Sequence, residues 1–213
     1  MTDDQQIAGK LTHRVHIVES FGERDSEHRE NHSTSLESGL KLIGVEVFRY
    51  TATDPKDLAD IFTRIGKEHV PAGTVPIPYI HLFAHGYSNG SGLALAGGNG
   101  VTWSQLGDCV RVLNESTGSL KNGRRSLLVL CMSSCYGLQA VQMPKQNGKC
   151  PFYALVAPSR SIGFSDSLIA FLTFYHLTIA KGEHGKRAVA AMNLASGQTT
   201  PVFRLVTWQD LER

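Results

Sequence analysis

Apolar residues come in short blocks along this chain, and their spacing switches repeatedly between the period of a strand and that of a helix. Val15-His16-Ile17-Val18-Glu19-Ser20 reads as a short strand. Residues 21–35 then run through Gly, Asp, Glu, Arg and Ser with little to bury, which predicts a flexible loop. Leu36, Leu40, Leu42 and Ile43 fit a short amphipathic helix ending at Gly44, and Val45-Glu46-Val47-Phe48-Arg49-Tyr50 alternates as a half-buried strand. Asp54-Pro55 offers an N-cap with proline at the first helical position, and Leu58, Ile61, Phe62 and Ile65 carry that helix toward a loop over residues 71–78.

Residues 80–84 make a third strand. Gly86, Gly90 and Gly92 then turn the chain, Leu93-Ala94-Leu95 and Gly97-Gly98-Asn99-Gly100 predict a hairpin, and a helix begins near Ser104 with Leu106, Cys109, Val110 and Leu113 on its apolar face. Residues 127–132 are apolar on both faces, as a strand central to a parallel sheet covered by helices on each side must be. A helical start follows Cys135, a polar loop covers residues 142–149, and residues 152–157 form a fifth strand. Ser165 or Asp166 caps the next helix, whose Leu168, Ile169, Leu172, Phe174, Tyr175 and Leu177 give it a large apolar surface before Gly182. Residues 186–194 predict a final helix and residues 201–207 a late strand at a sheet edge. This alternation predicts a three-layer α/β/α sandwich with a mostly parallel central sheet.

The 213 residues, 41% hydrophobic and 19% charged, fit one domain over residues 1–213 with a flexible N-terminal segment. A formal charge of +2, with no run of Lys and Arg interleaved with aromatics, argues against nucleic acid as a partner. The first residues, Met1-Thr2-Asp3-Asp4-Gln5-Gln6, are polar and acidic, and no apolar stretch approaches the roughly 20 residues that span a bilayer. A cytoplasmic location without membrane attachment is the expectation. The 4 cysteines form no C-x-x-C pair, so free thiols are expected, with neither metal nor cofactor.

Two strand exits carry candidate chemistry. The first apolar block ends in His85-Gly86 and the second in Ser133-Ser134-Cys135-Tyr136-Gly137. The carboxyl ends of neighbouring parallel strands open into one crevice, so residues fifty positions apart can meet there. A cysteine nucleophile needs a nearby base, because a free thiol ionises only near a pKa of about 8.5. His85 would be that base, and the backbone N–H groups of Cys135 and of the side-chain-free Gly86 could hold an oxyanion. A lone free cysteine is often only a small buried hydrophobe. It is the pairing of His and Cys at two strand exits, each followed closely by Gly, that favours catalysis. Cys109, Cys131 and Cys150 are read as structural, and His81, inside its strand, as a hydrogen-bonded core histidine.

These blocks, within this order of strands and helices, resemble the signature of the caspase-like cysteine peptidases, the group of caspases, metacaspases, legumain, clostripain, separase and the bacterial CHAT proteases. The resemblance covers roughly residues 15–203. It implies a caspase-like fold and endopeptidase activity without a cofactor. Cys135 would attack the scissile carbonyl, His85 would protonate the leaving amine, the N–H groups of Gly86 and Cys135 would hold the oxyanion, and water would release the acyl group. It also implies a protein substrate and a regulatory or sensor protein as partner, as in bacterial defence. Ser133, two residues before the nucleophile, occupies a family pocket position without a charge. Asp166 could supply an acidic pocket wall or cap its helix, and Arg160 a basic wall, so the residue preferred before the cut stays open. The loop over residues 142–149 falls where caspases carry the linker cut during activation.

Two other readings compete. Gly86-Tyr87-Ser88-Asn89-Gly90 matches G-x-S-x-G, the nucleophile elbow of serine hydrolases, with His176 or His184 to complete a triad. An elbow needs a helix directly after the serine, whereas Ser91-Gly92 and a Gly-rich hairpin follow here. The third is a catalytically inactive caspase-like domain that binds a partner, since fold does not guarantee chemistry.

Overall fold

In the computed structural model, which describes residues 10–22, 26–68, 74–117, 126–146 and 148–212, strands and helices alternate along the chain. The strands are β1 (Lys10–Ser20), β2 (Glu46–Thr51), β3 (Thr74–Gly86), β4 (Gly92–Ala94), β5 (Gly100–Thr102), β6 (Val129–Met132), β7 (Ala154–Pro158) and β8 (Phe203–Thr207). The helices are α1 (Ser26–Leu42), α2 (Pro55–Gly66), α3 (Trp103–Ser116), α4 (Phe164–Tyr175), α5 (Gly185–Ala195) and α6 (Trp208–Leu211). The central sheet runs β2-β1-β3-β6-β7-β8, parallel except for β8, and the antiparallel β4–β5 hairpin hangs from the end of β3.

Helices cover both faces, which makes the three-layer sandwich expected from the alternation. On one face Leu58, Phe62 and Leu106 of α2 and α3 pack over Ile80, Leu82, Leu130 and Leu155. On the other, Leu36, Phe171, Tyr175 and Met192 of α1, α4 and α5 pack over Val15, Ile17, Tyr79, Cys131 and Val156. Successive side chains of β6 enter opposite layers, which is why that strand is apolar throughout. Asp54 caps α2 through both Lys56 and Asp57 N–H groups, and Thr102 with Gln105 forms a capping box on α3.

Four local expectations are corrected. Helix α1 starts at Ser26, so much of the stretch read as a flexible loop over residues 21–35 is helical. Its inward stripe is the adjacent His32 and Ser33, then Leu36 three or four residues on and Leu40 four beyond that, and the two polar members hid the helical period. Strand β3 starts at Thr74 and takes in Pro76 and Pro78, where a loop was expected. Even-numbered residues of β3 face β6, as the bond from Ser133 N–H to the Leu82 carbonyl shows, and β6 pairing begins only at Tyr79–Val129. The two prolines therefore withhold donors only where no strand is there to receive them. The N-cap of α4 is Gly163, not Ser165 or Asp166, and Asp166 instead lies in the first turn, where the helix dipole favours a carboxylate. Helix α5 is followed by a further short helix, α6, behind the edge strand β8. The expected flexible N-terminal segment lies outside the described residues.

Among the described residues no helix is long and apolar enough to cross a membrane, and no group of three or more His, Cys, Asp or Glu is placed to hold a metal ion.

Candidate active site

Strands β3 and β6 are neighbours in the middle of the sheet, with His81 opposite Cys131 and Leu82 opposite Met132. Because the pairing is parallel, His85-Gly86 and Cys135 leave the sheet at the same edge, the arrangement the two strand exits were expected to produce. Their backbones come into direct apposition. A Cβ built on Gly86 would lie 1.8 Å from the Cys135 carbonyl oxygen, 2.8 Å from its carbonyl carbon and 3.2 Å from its nitrogen. Only a residue without a side chain fits there.

His85 is the penultimate residue of β3, held by pairing with Ala94 of β4. It is exposed, and its ring packs edge-on against Phe21, 5.2 Å between centroids, and at a tilt against Phe164 at 5.9 Å. Phe21 follows β1 and Phe164 opens α4, so two neighbouring elements set the orientation of the imidazole.

Cys135 is partly exposed, and its Sγ lies 3.9 Å from the Ile162 carbonyl oxygen. The next residue, Tyr136, has φ of 57°, the one described non-glycine residue in the left-handed region. That conformation costs about 1–2 kcal/mol for a residue with a Cβ and is held by its surroundings. The Tyr136 N–H donates to the Arg160 carbonyl at 3.3 Å, and the Gly137 N–H donates to the Ser134 carbonyl at 3.0 Å. The turn thereby swings the cysteine out of the strand. The other three cysteines are buried, and burial pushes the thiol of Cys109 up to about 11 and that of Cys131 to about 12. Cys135 is the accessible thiol of the four.

Ser133 is buried, with its hydroxyl 2.9 Å from His81 Nε2 and accepting from the Ser167 hydroxyl at 2.9 Å. It lies within the core, not at an open pocket wall. His81 is a hydrogen-bonded core histidine, as read from the sequence, with Nδ1 3.0 Å from the Tyr175 hydroxyl. The polar chain through Ser167 and Tyr175 was not recognised in the sequence; its one signal was a serine on the apolar stripe Ser167, Ala170, Phe171, Phe174 of α4.

The two charged pocket candidates are drawn into one outer cluster. The Arg160 guanidinium donates to Thr200 Oγ1 at 2.8 Å, and Gln198 Nε2 donates to Asp166 Oδ2 at 3.0 Å. Arg160 adjoins the cysteine turn through its backbone, while its side chain reaches outward to the segment before β8. The loop over residues 142–149 is anchored: Gln146 and Lys149 exchange backbone bonds, and the buried Gln146 side chain bridges Asn114 and the Gly107 carbonyl of α3.

Ser88 sits in a tight turn closed by Gly90 N–H to the Tyr87 carbonyl at 2.8 Å, and β4 follows it, not a helix. The elbow geometry of serine hydrolases is absent at this position. His176 is exposed beyond the end of α4, and His184 caps α5 by accepting from the Lys186 N–H. No protein-family model matches the chain, and no curated protein sequence matches it.

Proposed function

We propose that this protein is a cysteine endopeptidase similar to the caspase-like peptidases, acting on protein substrates through Cys135 and His85. The observation that carries the reading is the apposition of the Gly86 and Cys135 backbones at the ends of two adjacent parallel strands, with a half-exposed thiol on one and an exposed imidazole on the other. In this reaction the Cys135 sulfur attacks the scissile carbonyl carbon and its proton passes to His85. The imidazole then protonates the departing amine, and water hydrolyses the thioester to free the enzyme. The N–H groups of Gly86 and Cys135 stabilise the tetrahedral oxyanion.

The partners are a protein substrate and a regulatory or sensor protein, with the setting a cytoplasmic defence response. Arg160 and Asp166, joined through the side chain of Gln198, are the charged groups put forward to influence which side chain precedes the cut.

The test is cleavage of a peptide library varied at the residue before the cut, by wild type, Cys135→Ala and Ser88→Ala, each alone and with cell extract. Cleavage by wild type and Ser88→Ala but not Cys135→Ala is expected. Cleavage that survives Cys135→Ala and is lost with Ser88→Ala would transfer the reading to a serine hydrolase. Silence in every arm, with no labelling of Cys135 by a thiol-directed probe, would leave a binding domain without catalysis.

A further inference from the structure

A continuous polar chain crosses the apolar layer between the sheet and α4, directly before the cysteine turn. Ser167 donates to Ser133, so the Ser133 hydroxyl proton is available to His81 Nε2. His81 then carries its proton on Nδ1 and donates to the Tyr175 hydroxyl, which is in turn bonded to the Cys131 thiol. The tautomer is an assignment that starts from Ser167 as the donor to Ser133, since every other partner in the chain can donate or accept. Burial, and secondarily the nearby His32, hold the imidazole neutral.

We propose that His81 is a positioning residue for Cys135, its imidazole locking the cysteine turn and helix α4 into one register. The inference rests on the reading of Cys135 as the nucleophile. Ser133 is two residues before Cys135 in the chain, so the bond to Nε2 acts on the turn itself. Ser167 and Tyr175, eight positions apart, pin α4 at two places. The segment opening that helix touches both reacting side chains: the Ile162 carbonyl faces Cys135 Sγ and the Phe164 ring packs on His85. One histidine thus couples the orientation of nucleophile and base. Apolar side chains at all these positions would pack as well, because a buried hydrogen bond adds little net stability over a matched apolar pair. What the polar chain adds is a single allowed register, since any slip leaves several buried groups unpaired.

Two substitutions cut the chain on opposite sides of the ring. His81→Gln places an amide oxygen near Nε2 and keeps the Ser133 arm, whereas His81→Asn places an amide N–H near Nδ1 and keeps the Tyr175 arm. The readout is the iodoacetamide alkylation rate of Cys135 in the folded protein, resolved by peptide mass spectrometry, alongside kcat on a cleaved peptide and the melting temperature. A misplacement near 1 Å can cost about a hundredfold. His81→Asn is expected to lower both rates by about tenfold or more and His81→Gln by less than about threefold, at similar melting temperatures. Should neither variant fold, Ser133→Ala and Ser167→Ala, each expected to slow both rates, decide the matter. Equal losses in the two His81 variants, or no loss in either, overturn the positioning role. His85→Ala separates the two claims: if it slows alkylation while the His81 and serine variants do not, positioning alone fails. If His85→Ala changes nothing and Cys135 reacts as an ordinary thiol, the nucleophile reading fails and this inference with it.

Discussion

Gly86 and Cys135 occupy adjoining backbone positions so close that a single methyl on the glycine would overlap the cysteine carbonyl. The atom that would be struck belongs to main chain in the middle of the candidate site, which cannot rotate away as a side chain can. Gly86→Ala is expected to destabilise the fold by about 1–3 kcal/mol, the usual cost of overpacking, and to displace the cysteine turn. Urea denaturation together with the alkylation rate of Cys135 checks this; an unchanged midpoint and an unchanged rate would contradict it.

Adjacent serines in that turn are expected to behave oppositely. Ser134 is buried and its hydroxyl has no hydrogen-bond partner among the described residues, whereas Ser133 is bonded on both sides. Ser134→Ala removes an unpaired buried polar group and should leave stability unchanged or raise it by up to about 1 kcal/mol. Ser133→Ala strands the Ser167 hydroxyl and His81 Nε2 and should cost about 1–3 kcal/mol. Paired denaturation curves decide it, and equal effects would refute the contrast.

Asn193 ties α5 to the last strand. Its Oδ1 accepts from the Val202 and Phe203 N–H groups at 2.7 and 2.8 Å, and its Nδ2 donates to the Val189 and Phe203 carbonyls at 2.9 and 3.0 Å. Asn193→Leu takes this partner from the Val202 and Phe203 N–H groups and the Phe203 carbonyl, while the Val189 carbonyl keeps its helical bond, so a loss of about 3 kcal/mol or more is expected from thermal or urea unfolding. A loss below about 1 kcal/mol would mean the strand holds its place without the amide.

Acid should weaken the fold through buried histidines. Burial lowers His16 to about 4, with Arg14 adding to the effect, and burial lowers His32 to about 4. The unfolded chain takes up these protons near pH 6.5 while the folded chain resists them, so stability falls as the pH drops from about 6.5 toward 4. These two groups contribute no further loss below that window. At most each adds roughly 1.4 kcal/mol per pH unit. His32 is stacked on Phe83 at 3.7 Å with neither ring nitrogen bonded among the described residues, so His32→Leu should narrow the gap in stability between pH 7 and pH 5. Urea midpoints at the two pH values measure it, and an undiminished gap would show that other groups govern acid sensitivity.

Much of the architecture was legible because it rests on local periodicity. Residues 127–132, apolar on both faces, could only be central in a covered parallel sheet, and the alternation of strands and helices set the three layers. The proximity of His85-Gly86 to Cys135 followed from one topological rule, that parallel neighbours end at the same edge. The start of α1 was not legible, because His32 and Ser33 fill inward positions that polarity alone assigns to solvent. Nor was the passage of β3 through Pro76 and Pro78, which depends on where β6, more than fifty residues later, begins.

Local pattern was enough for the main strands and helices, their order and the pair of strand exits, since each depends on the periodicity of a short stretch of chain. Tertiary structure alone decided that Gly86 abuts Cys135, that Ser133 turns into the core and that His81 meets Tyr175 across 94 positions. These contacts join elements that only folding brings together. A hydrogen bond or a steric overlap is set by ångström distances between such elements, and no local pattern of polarity encodes a distance.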